Sequence, residues 1–370
     1  MQRPGLEATQ AILTIDLGAI VANWRDLRAR HPIGAVAAVV KADAYGLGAA
    51  PVARALRDAG CRSFFVAHLA EGLALREALG PGPEIAVLNG FPPCAEAERA
   101  ALLPVLNTLG EVEAHASHGR RRGTPVPAIL HIDTGMARLG LDARELEALA
   151  ADHGRLEGLA LRCVMTHLAC ADEPEHPLNR LQAERFAAAC ARLPPGIPRC
   201  LPNSSGLFLG PEFASDLARP GCALYGINPT PGRPNPMRQV LRLDAPVLQV
   251  REIPAGATVG YGASARVERP TRVATVAVGY ADGYLRSLSN RGVVGSFAGR
   301  PVPLLGRVSM DLTTFDVTDL APEIRAGDRI ALLGDAPGIT PDDLATAAGT
   351  IGYEILTSLG PRYRREYRHG

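Results

Sequence analysis

Short apolar runs alternate with longer amphipathic stretches between about residues 35 and 226. This alternation is typical of repeated βα units around a parallel sheet. The longer stretches are rich in Ala, Leu, Arg and Glu, which favour helices, and the clearest span residues 49–59, 70–79, 143–151 and 178–191. The apolar runs predict eight strands, at residues 36–40, 63–67, 84–88, 104–106, 128–132, 161–166, 199–202 and 216–218. Eight strands with intervening helices predict a (β/α)8, TIM-like barrel.

An open, doubly wound sheet is the alternative fold, because it produces the same alternation of strands and helices. Sheets of that kind often carry a G-x-G-x-x-G turn after an early strand. No such motif follows an early strand here. The barrel is therefore the preferred prediction.

The residue pattern of the chain changes after residues 229–236, which hold four prolines in eight positions. Short β-rich runs broken by glycine and proline follow, with one predicted helix near residues 341–349. We therefore predict a barrel domain over residues 10–235 and a mostly β C-terminal domain over residues 236–370, which the early run at residues 11–15 could join. The predicted strands of the second domain span residues 247–253, 272–278, 292–297, 302–305, 312–317 and 329–332.

Composition narrows the classes of function. The 370 residues exceed what one core usually supports, and 39 basic against 38 acidic side chains leave a net charge of +1. That balance argues against nucleic acid or an anionic membrane as the main partner. Because residues 1–10 lack an apolar signal region and no later run is long enough to span a bilayer, we expect a cytoplasmic protein.

Cysteines and basic clusters carry little functional signal. The seven cysteines include no C-x-x-C pair, so we interpret them as reduced, packed thiols. The run Arg120, Arg121, Arg122 is interpreted as a solvated helix end, and so is the cluster at residues 362–368.

Lys41 is the first candidate for chemistry. Active sites of barrels form at the carboxyl ends of the strands, and Lys41 follows the first apolar run in V-V-K-A-D-A-Y-G-L-G. Partial burial lowers the pKa of a lysine, which makes its amine nucleophilic near neutral pH. A surface lysine is the alternative explanation for Lys41 taken alone.

The motif around Lys41 closely resembles the cofactor-attachment signature of the alanine racemase family. The resemblance continues through residues 259–263 (V-G-Y-G-A) and 279–283 (G-Y-A-D-G) to Tyr353 and Glu354, so it covers nearly the whole chain. It implies pyridoxal 5'-phosphate bound to Lys41 and interconversion of L- and D-alanine by a head-to-tail homodimer. It also implies a role either in supplying D-alanine for peptidoglycan or in alanine breakdown.

Two loops suit the phosphate of such a cofactor: residues 203–206 after the seventh run and residues 219–222 after the eighth. Backbone N–H groups exposed where glycine permits close approach neutralise a phosphate without a lysine cluster. Either loop alone could be an ordinary turn. The resemblance assigns phosphate contacts to Tyr45, Ser204, Gly221, Cys222 and Tyr353.

The resemblance also places Arg219 at the pyridine nitrogen of the cofactor. An arginine has a pKa above about 12 and gives up no proton, so it keeps the ring neutral. A neutral ring stabilises negative charge less than a protonated one does. This choice suits an enzyme that returns the α-proton promptly.

Racemisation needs one proton-transfer group on each face of the α-carbon. The resemblance supplies Lys41 on one face and Tyr261, from the partner subunit, on the other. A phenol with a pKa of about 10 is a poor base at neutral pH unless a cation stabilises its phenolate. His167 is expected to help by linking Tyr261 to Arg219.

Substrate recognition is assigned by the same resemblance. Arg138 suits a carboxylate because its donors pair with both oxygens, and the backbone near Met310 is expected to assist. A narrow passage that favours alanine over bulky amino acids is expected to be lined by Tyr280, Arg286 and Arg307.

His131 departs from the family pattern. Many members carry a carbamylated lysine there, which orients the substrate-binding arginine. Because histidine supplies no carboxylate, we predict that a bound chloride or a nearby carboxylate serves as the acceptor for Arg138.

Three other functions compete with alanine racemisation. One is a racemase for serine or broader substrates, and another is a basic amino-acid decarboxylase of the same architecture. Tyr261 and Arg219 argue against the decarboxylase, which benefits from an acidic group at the ring nitrogen. The third is a non-catalytic cofactor-binding protein, which would have no need of residues 237–370.

Overall fold

The segment that carries Lys41 closes a parallel barrel. The computed structural model describes residues 10–369, and residues Ile20–Arg238 form one of its two compact units. Ala35–Val36 pairs with Leu217–Ala218, the last strand of the sheet, and Ala38–Val39 pairs with Ser63–Val66, the second apolar run. The first apolar run is thus divided into two short strands, and the all-parallel sheet of nine strand segments is nearly closed. The predicted (β/α)8 barrel is confirmed.

Each of the eight apolar runs forms barrel strands. Their side chains interdigitate with those of the surrounding helices in a continuous core that includes Leu106, Leu130, Val164 and Leu201. In chain order the strands are β2 (Ala35–Val36), β3 (Ala38–Val39), β4 (Ser63–Val66), β5 (Glu84–Val87), β6 (Leu102–Leu106), β7 (Val126–His131), β8 (Leu159–Met165), β9 (Arg199–Cys200) and β10 (Leu217–Ala218).

Local sequence signals begin and end the helices of this unit. The Thr108 hydroxyl accepts from the Glu111 amide and the Glu111 carboxylate accepts from the Thr108 amide, which begins helix Leu109–Arg122. Its last turn holds the exposed Arg120, Arg121 and Arg122, so the solvated helix end is confirmed. The other right-handed α-helices are Leu17–Arg30, Ala49–Asp58, Leu69–Leu79, Ala95–Arg99, Ala143–Ala151 and Pro177–Cys190, where the first of these begins just before the unit.

The other compact unit joins the residues up to Ala19 with those from Gln239 onward. Strand β1 (Ile12–Asp16) runs antiparallel to β11 (Leu241–Ile253) and parallel to β19 (Arg364–Arg368), so the early run becomes a strand of the β-rich unit. The remaining strands are β12 (Thr258–Val259), β13 (Ala265–Arg266), β14 (Thr271–Val276), β15 (Val294–Phe297), β16 (Arg300–Pro303), β17 (Thr313–Asp316) and β18 (Arg329–Leu333), with helices Pro341–Ala348 and Gly352–Thr357.

The basic cluster at residues 362–368 was expected to be a solvated helix end, and that expectation is wrong. Residues Arg364–Arg368 form a strand paired with Ile12–Asp16, with Ile12 opposite Arg364. The buried ring of Tyr363 anchors the start of this strand. Charged side chains are usual on an edge strand, where they oppose pairing with other molecules.

Within residues 10–369, no helix combines the length and the apolar composition needed to cross a membrane.

Candidate active site

Lys41 begins a left-handed turn at the mouth of the barrel. Ala42, Asp43, Ala44 and Tyr45 have φ values of 52° to 56°, in the left-handed region that residues with a Cβ rarely adopt. Four consecutive such residues store backbone strain of the kind found at functional sites. The Asp43 carboxylate supports the turn, because it accepts a hydrogen bond from the Ala49 amide at 2.7 Å.

Glu71 ties this turn to the neighbouring strand end. Its Oε1 accepts from the Ala42 amide at 2.6 Å, and its Oε2 accepts from the Ala67 and His68 amides at 2.7 and 3.0 Å. Our sequence analysis missed Glu71. The sequence signal for Glu71 was its position three residues after His68, the residue that precedes helix Leu69–Leu79. A carboxylate at this spacing commonly caps the start of a helix.

Burial lowers the pKa of the Lys41 amine, and the charges of Arg138 and Arg219 lower it further, whereas Glu71 opposes them. Each influence that lowers the pKa enlarges the fraction of neutral, nucleophilic amine. The two arginines also make the barrel mouth electropositive. The site is therefore suited to anionic ligands and to an amine that exchanges protons.

Arg219 is buried beneath this mouth, with 3% of its surface exposed. Its Nη2 donates to the Thr166 carbonyl at 2.6 Å, and its Nε donates to the sulfur of Cys200 at 3.0 Å. The guanidinium also lies 5.7 Å from the centre of the Phe65 ring. Within the described part of the chain, no carboxylate forms an ion pair with it.

The structure brings together three residues assigned to the phosphate. The buried Ser204 hydroxyl accepts from the Gly221 amide at 2.9 Å and from the Ala223 amide at 3.3 Å. A Cβ on Gly221 would lie 2.3 Å from the hydroxyl oxygen of Tyr45, so only glycine allows this approach. The Tyr45 ring is fixed against that of Tyr225, with ring centres 4.8 Å apart.

Cys222 is buried beside Gly221 and begins a short 3-10 turn over Cys222–Tyr225. Tyr225 contributes to the same arrangement by donating from its hydroxyl to the Val39 carbonyl at 2.8 Å. The last two barrel strands and the Lys41 segment thus converge on one cradle lined by a hydroxyl, a phenol and backbone amides.

Asn107 fixes the protonation pattern of His131. The Nδ2 of Asn107 donates to the carbonyls of Leu88 and Val105, which leaves its Oδ1 as the acceptor facing His131 Nδ1 at 2.7 Å. Nδ1 therefore carries the proton, and Nε2 has a free lone pair. Burial and the charge of Arg219 lower the pKa of His131 to about 4, so the ring is neutral at neutral pH.

Arg138 is exposed and makes no hydrogen bond or ion pair with any residue in the range 10–369. The carboxylate of Asp133, on the same loop, is occupied by the amides of residues 135–137. No neighbouring carboxylate therefore orients Arg138 in this structure. The bound anion stays a prediction.

His167 follows strand β8 and is held by its backbone. Gln182 Nε2 donates to the His167 carbonyl at 2.9 Å and to the Thr134 hydroxyl at 3.1 Å. Burial lowers the pKa of His167 well below its ordinary value, and the charges of Arg219 and Arg138 add to the effect. A neutral His167 can accept or donate a hydrogen bond without adding to the positive charge.

In the β-rich unit, Tyr261 lies on an exposed loop between two glycines. Its side chain is 69% exposed, and Gly260 and Gly262 have φ values of 76° and 69°. Arg307 packs against this loop, because a Cβ on Gly262 would lie 3.1 Å from Arg307 Nη1. Tyr261 and Arg307, which are far apart in the sequence, are therefore neighbours.

The remaining assigned residues of this unit lie on connected loops. The Tyr280 amide donates to the Ser309 carbonyl at 3.0 Å, which places Tyr280 beside the segment of Met310. Ser289 joins the Arg286 loop to residue 308, because its hydroxyl donates to the Arg286 carbonyl at 2.6 Å and accepts from the residue 308 amide at 3.0 Å. Tyr353 lies in helix Gly352–Thr357 and is exposed.

Asp282 is a further organising residue that our sequence analysis did not single out. It is buried, accepts from the Gly279 amide at 2.9 Å, and pairs with Arg362 at 2.6 Å. Arg362 also pairs with Asp311 at 2.8 Å. This carboxylate holds the turn before Tyr280 and connects it to the loop of Met310. The available sequence signal was that Asp282 is the one charged residue of the motif G-Y-A-D-G at residues 279–283.

The barrel, its strand-end lysine and its anion-suited cradle define a (β/α)8-barrel enzyme with an appended β-rich unit. The model of the alanine racemase N-terminal domain matches residues 15–229, and that of the alanine racemase C-terminal domain matches residues 240–367. The chain belongs to the alanine racemase family, as the motif around Lys41 predicted.

Relatives match over almost their full length. An alanine racemase of Acidiphilium cryptum is 58% identical, with 95% of this chain and 97% of the relative covered. A catabolic alanine racemase of Mesorhizobium japonicum is 52% identical, with 98% and 94% covered. The crystal structure of alanine racemase from Bartonella henselae with covalently bound pyridoxal phosphate is 42% identical, with a TM-score of 0.92 and 97% of this chain and 100% of that one covered.

Proposed function

We propose that this chain interconverts L- and D-alanine with pyridoxal 5'-phosphate as its cofactor. The observation that carries the proposal is the Lys41 amine at the barrel mouth, with its pKa lowered by burial and by Arg138 and Arg219. The relatives support the same activity, since they are named alanine racemases and their similarity to this protein extends over nearly the whole chain. The Bartonella henselae protein holds the same cofactor covalently.

The cradle fits the phosphate of that cofactor. Ser204 Oγ accepts hydrogen bonds from the Gly221 and Ala223 amides. The Tyr45 hydroxyl lies so close to Gly221 that a Cβ there would collide with it. Hydroxyl and backbone N–H donors at close approach are what the oxygens of a phosphate need. In this proposal residues 10–235 hold the cofactor through Lys41, Tyr45, Ser204, Gly221 and the Cys222 amide, and Tyr353 contributes a hydroxyl from residues 236–370.

When bound, pyridoxal phosphate supplies an electron-accepting ring that acidifies the α-hydrogen of an attached amino acid. Arg219 would face the ring nitrogen as a permanent hydrogen-bond donor. Because a guanidinium keeps its protons at any physiological pH, it would leave that nitrogen unprotonated. This arrangement favours return of the proton over diversion to other products.

Lys41 and Tyr261 would each move one proton at the α-carbon. The Lys41 amine, whose pKa is lowered by its surroundings, would accept or return the proton on one face. Tyr261 would serve the opposite face from a second copy of the chain in a head-to-tail homodimer. Its 69% exposure and glycine-flanked loop leave its hydroxyl available to a partner, and His167 would link it to Arg219.

Arg138 and the backbone at Met310 would receive the carboxylate of alanine. Arg138 is exposed, and Met310 is 53% exposed, so both are accessible to a substrate. Tyr280, Arg286 and Arg307 would line the passage by which it arrives. Because Arg286 and the segment after Arg307 are joined through Ser289, that passage would have a fixed width.

A chiral amino-acid assay tests the proposal. Wild type, Lys41→Ala and Tyr261→Phe are incubated with the L- and D-forms of alanine, serine and lysine. We expect racemisation of alanine by wild type, loss of turnover in Lys41→Ala, and loss of racemisation in Tyr261→Phe. Normal racemisation by Tyr261→Phe would refute the two-base assignment.

The same assay separates the competing functions. Equal rates with serine would indicate a broad-specificity racemase, and release of carbon dioxide from lysine would indicate a decarboxylase. Cofactor binding without turnover of any of the three amino acids would indicate a non-catalytic binding protein. Sedimentation of the wild type tests the dimer, since a monomer with full activity would contradict a shared site.

The cellular role proposed is supply of D-alanine for peptidoglycan or breakdown of alanine, in the cytoplasm. Racemisation is reversible, so one site serves either direction, and relatives include a catabolic enzyme. All seven cysteines are free thiols in the structure, as is usual in a reducing compartment.

A further inference from the structure

Arg219 is a buried cation with an unusual partner. Its Nε donates to the Cys200 sulfur at 3.0 Å, while its Nη2 donates to the neutral Thr166 carbonyl. A buried charge that lacks a compensating charge is strongly unfavourable. Because no carboxylate among residues 10–369 pairs with Arg219, the sulfur is the contact that can supply negative charge.

The Cys200 sulfur has a second neighbour. Cys163 lies on strand β8, which pairs with the strand β9 that ends at Cys200, and the interaction of the two thiols shifts the pKa of both. Both cysteines are buried, at 2% and 0% exposure. The Cys200 sulfur therefore accepts from Arg219 Nε and is the acceptor toward the Cys163 thiol.

We propose that Cys200 is the counter-ion and positioning residue of Arg219. Its sulfur is a thiolate that accepts hydrogen bonds from the Cys163 thiol and from Arg219 Nε. Through its contact with Nε, the thiolate fixes the orientation of the guanidinium plane, so that the other guanidinium nitrogens keep a fixed direction. This role rests on the proposed function in so far as Arg219 faces the cofactor ring.

The surrounding charges agree with this assignment. Burial opposes ionisation of Cys200, but the hydrogen bond from Cys163 and the charge of Arg219 outweigh burial and Asp216, so the pKa of Cys200 is lowered. The pKa of Cys163 is raised by its hydrogen bond to Cys200, with burial adding to the effect. The proton shared by the two thiols therefore stays on Cys163.

The consequence concerns the ring nitrogen. A guanidinium held through Nε by a charged acceptor keeps its remaining N–H groups in a fixed direction toward a ligand. Loss of the thiolate would leave Arg219 free to rotate toward other acceptors. Cofactor retention would then fall by about tenfold, the lower end of the effect seen when a group that orients a metal ligand is removed.

Carbon-13 NMR of the holoenzyme, labelled at cysteine Cβ, tests the thiolate directly. The Cys200 resonance is assigned by its absence in Cys200→Ser. We expect it at a thiolate position at neutral pH, and at a thiol position in Arg219→Gln, where the cation is gone. A thiol position in wild type, or no change in Arg219→Gln, would overturn the proposal.

Matched variants separate this role from general packing. Cys61 is equally buried, but its thiol donates to the carbonyls of Val36 and Ser63, and burial raises its pKa to about 12. Cys61→Ser should therefore leave the Cys200 resonance unmoved. Should Cys200→Ser fail to fold, Cys163→Ala provides the second test, because loss of its S–H must move the Cys200 pKa upward.

Cofactor retention on dialysis gives the second readout. Cys200→Ala should lose pyridoxal phosphate faster than Cys61→Ser, and Cys200→Ser, which keeps an acceptor but no charge, should lie between them. Equal retention in Cys200→Ala and Cys61→Ser would remove the positioning role. The NMR result does not depend on turnover, so a failed racemase assay would leave the thiolate assignment separately testable.

Discussion

His131 donates a hydrogen bond from Nδ1 to Oδ1 of Asn107 over 2.7 Å, and this contact decides which ring nitrogen carries the proton. Asn107 is itself fixed by two backbone carbonyls, so its amide cannot turn around without losing both bonds. His131 therefore presents a bare Nε2 in the part of the barrel where the family often places a carbamylated lysine.

Asn107→Leu tests how much of the barrel mouth depends on that amide. The variant removes three hydrogen bonds and leaves buried carbonyls and the His131 N–H unpaired, which should lower the free energy of unfolding by about 1–3 kcal/mol or more. Urea unfolding measures the loss. Asn290→Gly, at an exposed turn whose φ of 58° glycine also adopts, is the comparison, and an equal effect of both changes would show that the Asn107 amide has no structural role.

His131 should make stability depend on pH. Its pKa is lowered to about 4 by burial and by Arg219, below the unfolded value of 6.5. A base that is neutral in the fold and charged when unfolded stabilises the fold above pH 6.5, and that contribution is lost as the pH falls from 6.5 toward 4. The full difference corresponds to roughly 3 kcal/mol.

Urea unfolding at neutral pH and at mildly acidic pH, for wild type and His131→Gln, measures this contribution. His31, His115 and His167 also have lowered pKa values, so wild type should lose stability from several sources on acidification. His131→Gln should lose distinctly less, since glutamine does not titrate. An identical loss in both proteins would contradict the assignment.

Gly221→Ala should damage the cradle specifically. The added Cβ would lie 2.3 Å from the Tyr45 hydroxyl oxygen, so either the loop or the phenol must move. We expect cofactor affinity to fall by about tenfold or more, measured by fluorescence titration. Gly110→Ala, within helix Leu109–Arg122, is the control, because the nearest atom to its added Cβ would be the Thr108 hydroxyl oxygen at 3.9 Å.

Removing the obstructing oxygen should partly rescue that variant. In the double variant Gly221→Ala with Tyr45→Phe, the nearest ring atom is the Cζ at 3.1 Å, a contact that a small shift relieves. Affinity should then exceed that of Gly221→Ala alone, despite the lost hydroxyl. No improvement would mean that the backbone, and not the phenol, limits the site.

Glu71→Gln should loosen the Lys41 turn. The carboxylate accepts three backbone N–H bonds, and an amide nitrogen in place of one oxygen would face donors instead. The free energy of unfolding should fall by about 1–3 kcal/mol. The pKa of Lys41 should also fall further, since Glu71 raises it.

Glu77→Gln, on the exposed face of the same helix Leu69–Leu79, is the matched control. Thermal unfolding and the pH dependence of cofactor attachment distinguish the two variants. If Glu71→Gln behaves like Glu77→Gln in both measurements, the carboxylate does not hold the turn.

The sequence by itself determined the barrel, because eight apolar runs with helical stretches between them bury their apolar faces in few other ways. It also determined that Lys41 follows the first strand, since the carboxyl ends of parallel strands meet at one edge. Both features can be predicted from the sequence because each depends on residues within one strand or one helix.

Only the tertiary structure decided which side chains support the site. Glu71 is 29 residues from Ala42, Asn107 is 24 from His131, and Cys200 is 19 from Arg219 along the chain. None of these pairs has a local pattern, because each joins different strand ends of the closed sheet. The left-handed turn at residues 42–45 is also hidden, since it holds no glycine and persists through its contacts with neighbouring segments.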